Sequence, residues 1–305
     1  VKGKRIFNEY PAEYVFYYDD SRGKYRTIYD TPVSKFITKS SKEFRRELKS
    51  HEGSNRLWES DINPVFRCLS EKYINADAPK LQVAFLDIET DFDPKRGFSP
   101  PEEAFSAITA ITVHLQWLDQ LVTLALPPKG MSMETANEIA AKFENTIMFD
   151  NEGEMLTVCL DLLEDADIIS GWNSEGYDIP YMVTRVTRVL SKNDTRRFCL
   201  WNMLPKQRTF ERFGAEQITY DLIGRVHVDY MQLYRKYTYE ERHSYSLDAI
   251  GEYELGEQKI AYTGTLDSLY NNDFEKFIAY NRQDVALLDK LDKKLQFMDL
   301  ANQLA

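Results

Sequence analysis

The stretch Gln82–Thr90, QVAFLDIET, constrains the fold more than any other part of the chain. Its apolar run Val83–Leu86 is short and ends in two acids, Asp87 and Glu89, so it reads as a buried strand. Residues two apart on a strand share a face, which sets two carboxylates side by side at the end of a core strand. Taking like charges out of water costs several kcal/mol, roughly, and something must offset it. A divalent cation does so, since Mg²⁺ favours carboxylate oxygens and keeps several waters. Two acids lying just past the strand, in water, would need no cation, so the rest of the chain has to decide.

The 305 residues suffice for one large domain or two moderate ones. Hydrophobic content of 43% and charged content of 29% are those of a soluble globular protein. No apolar stretch approaches the ~18–20 residues of a membrane helix, and no secretory signal opens VKGKRIF, so no membrane partner is expected. Cys68, Cys159 and Cys199 are odd in number and far apart, which fits reduced thiols in a cytoplasmic protein. A net charge of −11 argues against a chain whose main work is gripping duplex DNA through its phosphates. A start at Val1 fits a trimmed fragment.

Residues 1–80 read as a small N-terminal α+β domain. Glu13–Tyr18 is a strand, Asp19–Gly23 a turn and Lys24–Tyr29 a return strand, together a β-hairpin. Ser40 with Glu43 fits a capping box opening a short basic helix through Leu48, and a second helix covers Pro64–Tyr73. Residues 81–305 form the second domain. After its opening strand comes a stiff polar loop with GFSPPEEAF at its centre, then strands over Ile108–Trp117 and Leu121–Leu126. Helices over Met133–Glu144 and Asn151–Leu163 then alternate with short strands at Thr146–Phe149 and Ile168–Trp172. This order predicts an α/β fold, a mixed sheet flanked by helices.

In GWNSEGYDIPY, Asp178 stands where a helix starts, with Pro180 in its first turn. Taken alone it reads as a structural cap. From Arg185 to Arg212 the chain turns basic, with Phe198, Trp201 and Phe210 interleaved. Such a mixture suits single-stranded nucleic acid as well as it suits a solvated surface, and Arg208 is the candidate DNA contact within it. Lys206–Tyr220 alternates around Gly214 as a β-hairpin would. Val226–Tyr230 is a strand leading into a helix, Met231–Lys236. Asp273–Leu300 reads as one long helix on which Tyr280 and Asp284, four apart, share a face.

Asp87, Glu89, Asp178 and Asp284 are thus four acids on three elements, the complement a two-metal phosphodiesterase requires. No Ser-His-Asp set, Walker loop, dinucleotide fingerprint or zinc motif competes. D-I-E, then N-x-x-G-Y-D, then Y-x-x-x-D, in this order, resembles the three exonuclease motifs of family B DNA polymerases. GWNSEGYDIPY, YSLDAI and YNRQDV look most like the replicative polymerases of T-even-type bacteriophages. The resemblance implies a ribonuclease H-like fold and 3′→5′ proofreading of single-stranded DNA ends with two divalent ions, Mg²⁺ or Mn²⁺. It implies Asp87, Glu89, Asp178 and Asp284 as metal ligands and Tyr280 as the residue that orients the attacking water. Asn173 and Tyr177 would support the site, Phe98 would wedge at the primer terminus, and Lys259 in KIAYTG resembles a lysine near it. The hairpin around Arg208 resembles the family's strand-separating hairpin. The implied setting is the cytoplasm of an infected host cell.

His243 and Asp248 form H-x-x-x-x-D, the third motif of a histidine-type exonuclease, in which imidazole would be the general base. Tyr280 with Asp284 is preferred, because YSLDAI resembles the ordinary helix that precedes the tyrosine-type motif. About twenty residues follow Asp284, and polymerase motifs such as D-x-x-S-L-Y-P and Y-x-D-T-D are missing. The expected partner is therefore a polymerase domain or a separate polymerase subunit. A free-standing exonuclease acting on RNA or oligonucleotides, and a catalytically dead module that docks a polymerase, are the competing readings.

Overall fold

The computed structural model describes residues 8–53, 56–77, 79–212, 214–257 and 260–304. The chain divides into two compact units, Val1–Pro79 and Lys80–Ala305.

In the first unit, β1 (Tyr14–Asp19), β2 (Tyr25–Arg26), β3 (Pro32–Thr38), α1 (Ser41–His51), β4 (Leu57–Trp58) and α2 (Pro64–Tyr73) follow one another. The sheet order is β2-β3-β1-β4, all neighbours antiparallel. The expected hairpin is therefore corrected: β1 pairs with β3, and Tyr25–Arg26 pairs with the outer edge of β3. The alternating run VSKFIT makes seven-residue β3 the longer partner, and Val33 with Val15 and Phe16 forms the small core. Ser40 caps α1 by accepting from the Glu43 N–H at 3.2 Å. The reciprocal half of the capping box is replaced, since Thr38 Oγ1 takes the Ser40 N–H at 3.1 Å and donates to the Glu43 carboxylate. The helix Pro64–Tyr73 stands where the sequence set it.

The second unit opens with β5 (Val83–Thr90), β6 (Ile108–Leu115), β7 (Gln120–Ala125), α3 (Met133–Ala140), β8 (Thr146–Met148), α4 (Glu152–Leu162), β9 (Ile168–Gly171) and α5 (Asp178–Val189). A hairpin follows, β10 (Lys206–Arg212) and β11 (Ala215–Asp221), then β12 (Val226–Asp229). Helices α6 (Tyr230–Tyr237), α7 (Leu247–Leu255), α8 (Leu266–Asn272), α9 (Phe274–Leu295) and α10 (Phe297–Leu304) complete it. The central sheet runs β12-β9-β5-β6-β7-β8. β5, β6 and β7 form an antiparallel meander, and the other three strands join in parallel. This is the expected mixed sheet between helical layers, in keeping with a ribonuclease H-like arrangement.

Residue parity on β5 assigns the layers. Ala84, Leu86 and Ile88 pack into the core formed with α4 and α5, whereas Val83 and Phe85 face α6, α7 and α9. Asp87 and Glu89 continue the second series, so the strand delivers them to the α9 side. One expectation about the C-terminal region is corrected. The long helix ends at Leu295, Gln296 takes a left-handed φ of 56°, and α10 starts afresh. The Asp292 carboxylate holds the break, accepting from the Met298 N–H and the Tyr230 hydroxyl, both at 3.1 Å. Among the described residues no helix is long and apolar enough to cross a membrane.

Candidate active site

Two elements build the centre. β5 carries Asp87, partly buried, and Glu89, 8% exposed, on one face. α9 crosses that face and brings in Asp284, 4% exposed. One oxygen from each of the three carboxylates lies within 4.8 Å of the others. Three hard anionic donors at that spacing fit a divalent ion such as Mg²⁺ or Mn²⁺.

Asp178 is close by but outside this group. It is the first residue of α5, not its cap, since Tyr177 holds the cap position. Its carboxylate accepts from the backbone N–H of Ile88, the residue between the two β5 acids, at 3.2 Å. Burial pushes its carboxyl up to about 7, against the lowering effect of the backbone hydrogen bonds.

The loop before α5 is tied down by a residue that sequence reasoning missed. Asp229, at the end of β12, accepts from the backbone N–H groups of Asn173 and Met231 at 3.0 Å and of Glu175 at 3.2 Å. Asn173 itself takes a left-handed φ of 63°, which asparagine tolerates. At Gly171 any β-carbon would come within 2.7 Å of the Leu86 carbonyl, so glycine is needed for β9 to approach β5. Tyr177 hydrogen-bonds Thr90 at 3.0 Å, and burial raises its phenol well above the usual range.

Two open clefts flank the acids. One of about 390 Å³ is lined by Asp87, Asp284, Trp172, Asn173 and Tyr245. The other, about 250 Å³, is lined by Glu89, Thr90, Phe92, Phe98 and Tyr177. Phe98 is 75% exposed and meets Phe92 edge to face at 5.1 Å, so it presents an aromatic surface at the mouth. Tyr280 lies on α9 one turn before Asp284, its ring edge-on to Tyr262 at 5.3 Å. His243 and Asp248 are both exposed and belong to neither cleft's set of named acids, unlike buried Asp284.

The basic segment is largely engaged within the protein. Arg185 makes a two-pronged contact with Glu152 at 2.8 and 2.6 Å and also donates to the Ala104 and Phe105 carbonyls. Arg208, on β10, pairs with Glu175 and with Asp221, the latter at 2.8 Å, while staying 41% exposed. Lys259 lies outside the described residues.

Asn281 is the other residue sequence reasoning passed over, although its place beside Tyr280 and one turn before Asp284 was a signal. It is fully buried and donates from Nδ2 to Asp87 Oδ2 at 2.9 Å.

Against this geometry, residues 48–250 match the family model described as DNA polymerase family B, exonuclease domain. The chain belongs to that family. The match includes Asp87, Glu89 and Asp178 and stops before Tyr280 and Asp284. Among curated proteins, the chain is 30% identical over 303 residues to a DNA-directed DNA polymerase of Escherichia phage RB69, covering 91% of this chain and 33% of the relative. It is 27% identical to the DNA-directed DNA polymerase of Enterobacteria phage T4, covering 94% of this chain and 34% of that one. With DNA polymerase 1 of Sulfolobus acidocaldarius the figures are 26%, 72% and 23%. The chain thus spans about a third of the length of the two phage relatives.

Proposed function

We propose that this chain is the proofreading 3′→5′ exonuclease portion of a phage-type family B DNA polymerase, shortening single-stranded DNA from its 3′ end. The observation that carries the reading is the three-carboxylate group formed by Asp87, Glu89 and Asp284. These residues, with Asp178 as fourth ligand, would hold two divalent ions, Mg²⁺ or Mn²⁺. When bound, such ions supply a hydroxide nucleophile at neutral pH and neutralise charge on the attacking and leaving oxygens.

The remaining roles fall to the chain's own side chains. The Tyr280 phenol accepts or donates one hydrogen bond without ionising, and so orients the attacking water. Phe98, backed by Phe92, stacks on the terminal base, a contact that tolerates any base because every base has a π-face. Asn173 and Tyr177 keep the second-motif loop in place beside the acids. Arg208 and Lys259 steer the strand's phosphates. The polymerase portion is a covalently attached domain or a separate chain, and the setting is the cytoplasm of an infected host.

The test is degradation of 5′-labelled single-stranded DNA and of matching RNA with Mg²⁺ or Mn²⁺, comparing the parent with Asp87→Ala. A ladder shortening from the 3′ end of DNA, lost in the variant, is expected. Cleavage that survives the substitution defeats the assignment of the site, and preference for RNA, whose 2′-hydroxyl a protein can sense, defeats the assignment of the substrate.

A further inference from the structure

A row of polar side chains crosses the apolar sheet. Asp87 on β5 stands opposite Thr112 on β6, Thr112 opposite Thr123 on β7, and Thr123 opposite Thr146 on β8. Equivalent positions in neighbouring strands present their side chains to one face, here the face that α9 covers. Two consecutive α9 residues, Asn281 and Arg282, close the row into a chain of hydrogen bonds. Arg282 Nη1 donates to Thr123 Oγ1 at 2.9 Å and to Thr146 Oγ1 at 3.1 Å. Thr112 and Thr123 share a hydrogen bond of 2.9 Å. Thr112 Oγ1 donates to Asn281 Oδ1 at 2.6 Å, and Asn281 Nδ2 donates to Asp87 Oδ2 at 2.9 Å.

The two ends set the direction of the chain. A guanidinium has donors and no acceptor, and an ionised carboxylate has acceptors and no donor. Thr112 spends its single proton on Asn281, so the bond between the threonines is donated by Thr123, whose oxygen is in turn satisfied by Arg282. Every proton then points from Arg282 toward Asp87. The amide of Asn281 is locked with its oxygen toward Thr112 and its nitrogen toward the carboxylate. Thr112, Thr123 and Asn281 are all 0% exposed, so water does not replace a broken link.

We propose that Arg282, acting through Thr123, Thr112 and Asn281, is a positioning residue for Asp87, so that ion affinity at the three-carboxylate group is set by a side chain outside it. The proposal rests on the reading that this group binds divalent ions. Residues that orient a ligand from behind change metal affinity by roughly 10–100-fold when lost. Charge alone predicts the opposite sign for Arg282: deleting a nearby cation strengthens the binding of another cation.

The experiment is a Mn²⁺ titration of the whole chain, followed by electron paramagnetic resonance, on the parent, Asp87→Asn, Thr112→Val, Thr112→Ser and Arg282→Met. Asp87→Asn abolishes binding. Thr112→Val, which keeps the shape and removes the donor, weakens it about tenfold, and Thr112→Ser restores it to within about twofold of the parent. Arg282→Met weakens it about threefold, against the electrostatic expectation. Binding unchanged in Thr112→Val and unchanged or tighter in Arg282→Met, with Asp87→Asn still defective, overturns the relay and spares the metal reading. A parent chain that takes up no Mn²⁺ overturns both. Should Thr112→Val fail to fold, Arg282→Met decides by the sign of its effect.

Discussion

Helix α9 carries two polar clusters against the central sheet, and they are built on different terms. Asp284 meets Asp87 and Glu89 of β5. Five residues on, Asp289 meets His114 of β6 and Asp119 of the turn that follows it. The second cluster brings its own cation. Lys293 Nζ lies 2.8 Å from Asp289 and 3.2 Å from Asp119, and the imidazole of His114 stands between the two carboxylates at 3.3 and 3.4 Å. Burial acts to raise the Asp289 carboxyl, yet His114 and Lys293 close beside it outweigh that effect and hold the group below its usual range. The first cluster brings three carboxylates together, one of them held by the Asn281 amide, and Asp178 beside it is pushed up to about 7 by burial. Acids on one helix, alike in sequence, therefore sit in different company. One set fastens a helix to a β-turn, and the other gathers the three carboxylates proposed above to hold divalent ions.

The largest test of that contrast is nuclease activity. Asp284→Ala should lower cleavage of single-stranded DNA about a thousandfold, a loss on the scale of a missing ion clamp, whereas Asp289→Ala should leave it within about threefold. Equal losses would erase the distinction. Next comes stability with added ion. At a Mn²⁺ concentration of about 100 times its dissociation constant, the parent and Asp289→Asn should both gain about 2.7 kcal/mol, read as a raised melting temperature, and Asp87→Asn should gain nothing.

A third measurement uses pH without metal. The folded-state pKa of Asp178 is raised above its unfolded value of 3.8, so its contribution is most favourable below that value and is lost as pH rises through about 7. Asp178→Asn should therefore stabilise the metal-free chain at pH 8, by roughly 1–3 kcal/mol in urea unfolding, and not at pH 4. Asp289 has the reverse shift, so its contribution is present above its unfolded value and lost on acidification below it, and Asp289→Asn should destabilise at pH 8. The smallest effect is that of Lys293→Met. Its side chain is 54% exposed, so screening by water limits the loss to about 1 kcal/mol, with no change in cleavage.

Much of the second unit was legible from local pattern. The apolar run ending in Asp87 and Glu89 is a strand with both acids on one face, because strand parity is a property of neighbouring residues. The stretch holding Tyr280 and Asp284 is a helix for the same kind of reason. Elements of the first unit were legible but their pairing was not, since Tyr25–Arg26 joins β3 and not β1. The end of α9 was hidden because Asp292, whose carboxylate caps the following helix, looks in sequence like any other helical acid.

What the sequence by itself determined is the set of elements and the order of their acids, since period and capping act over a few residues. Only the tertiary structure decided which acids share a cluster, that Asp178 serves the Ile88 amide outside the three-carboxylate group, and that Arg208 is already paired. It alone aligned Asp87 with Thr112, Thr123 and Thr146 and laid Asn281 and Arg282 over them. The physical reason is distance along the chain. Thr112 and Asn281 are 169 residues apart, and the hydrogen bond that joins them depends on sheet register and helix placement, which no local pattern encodes.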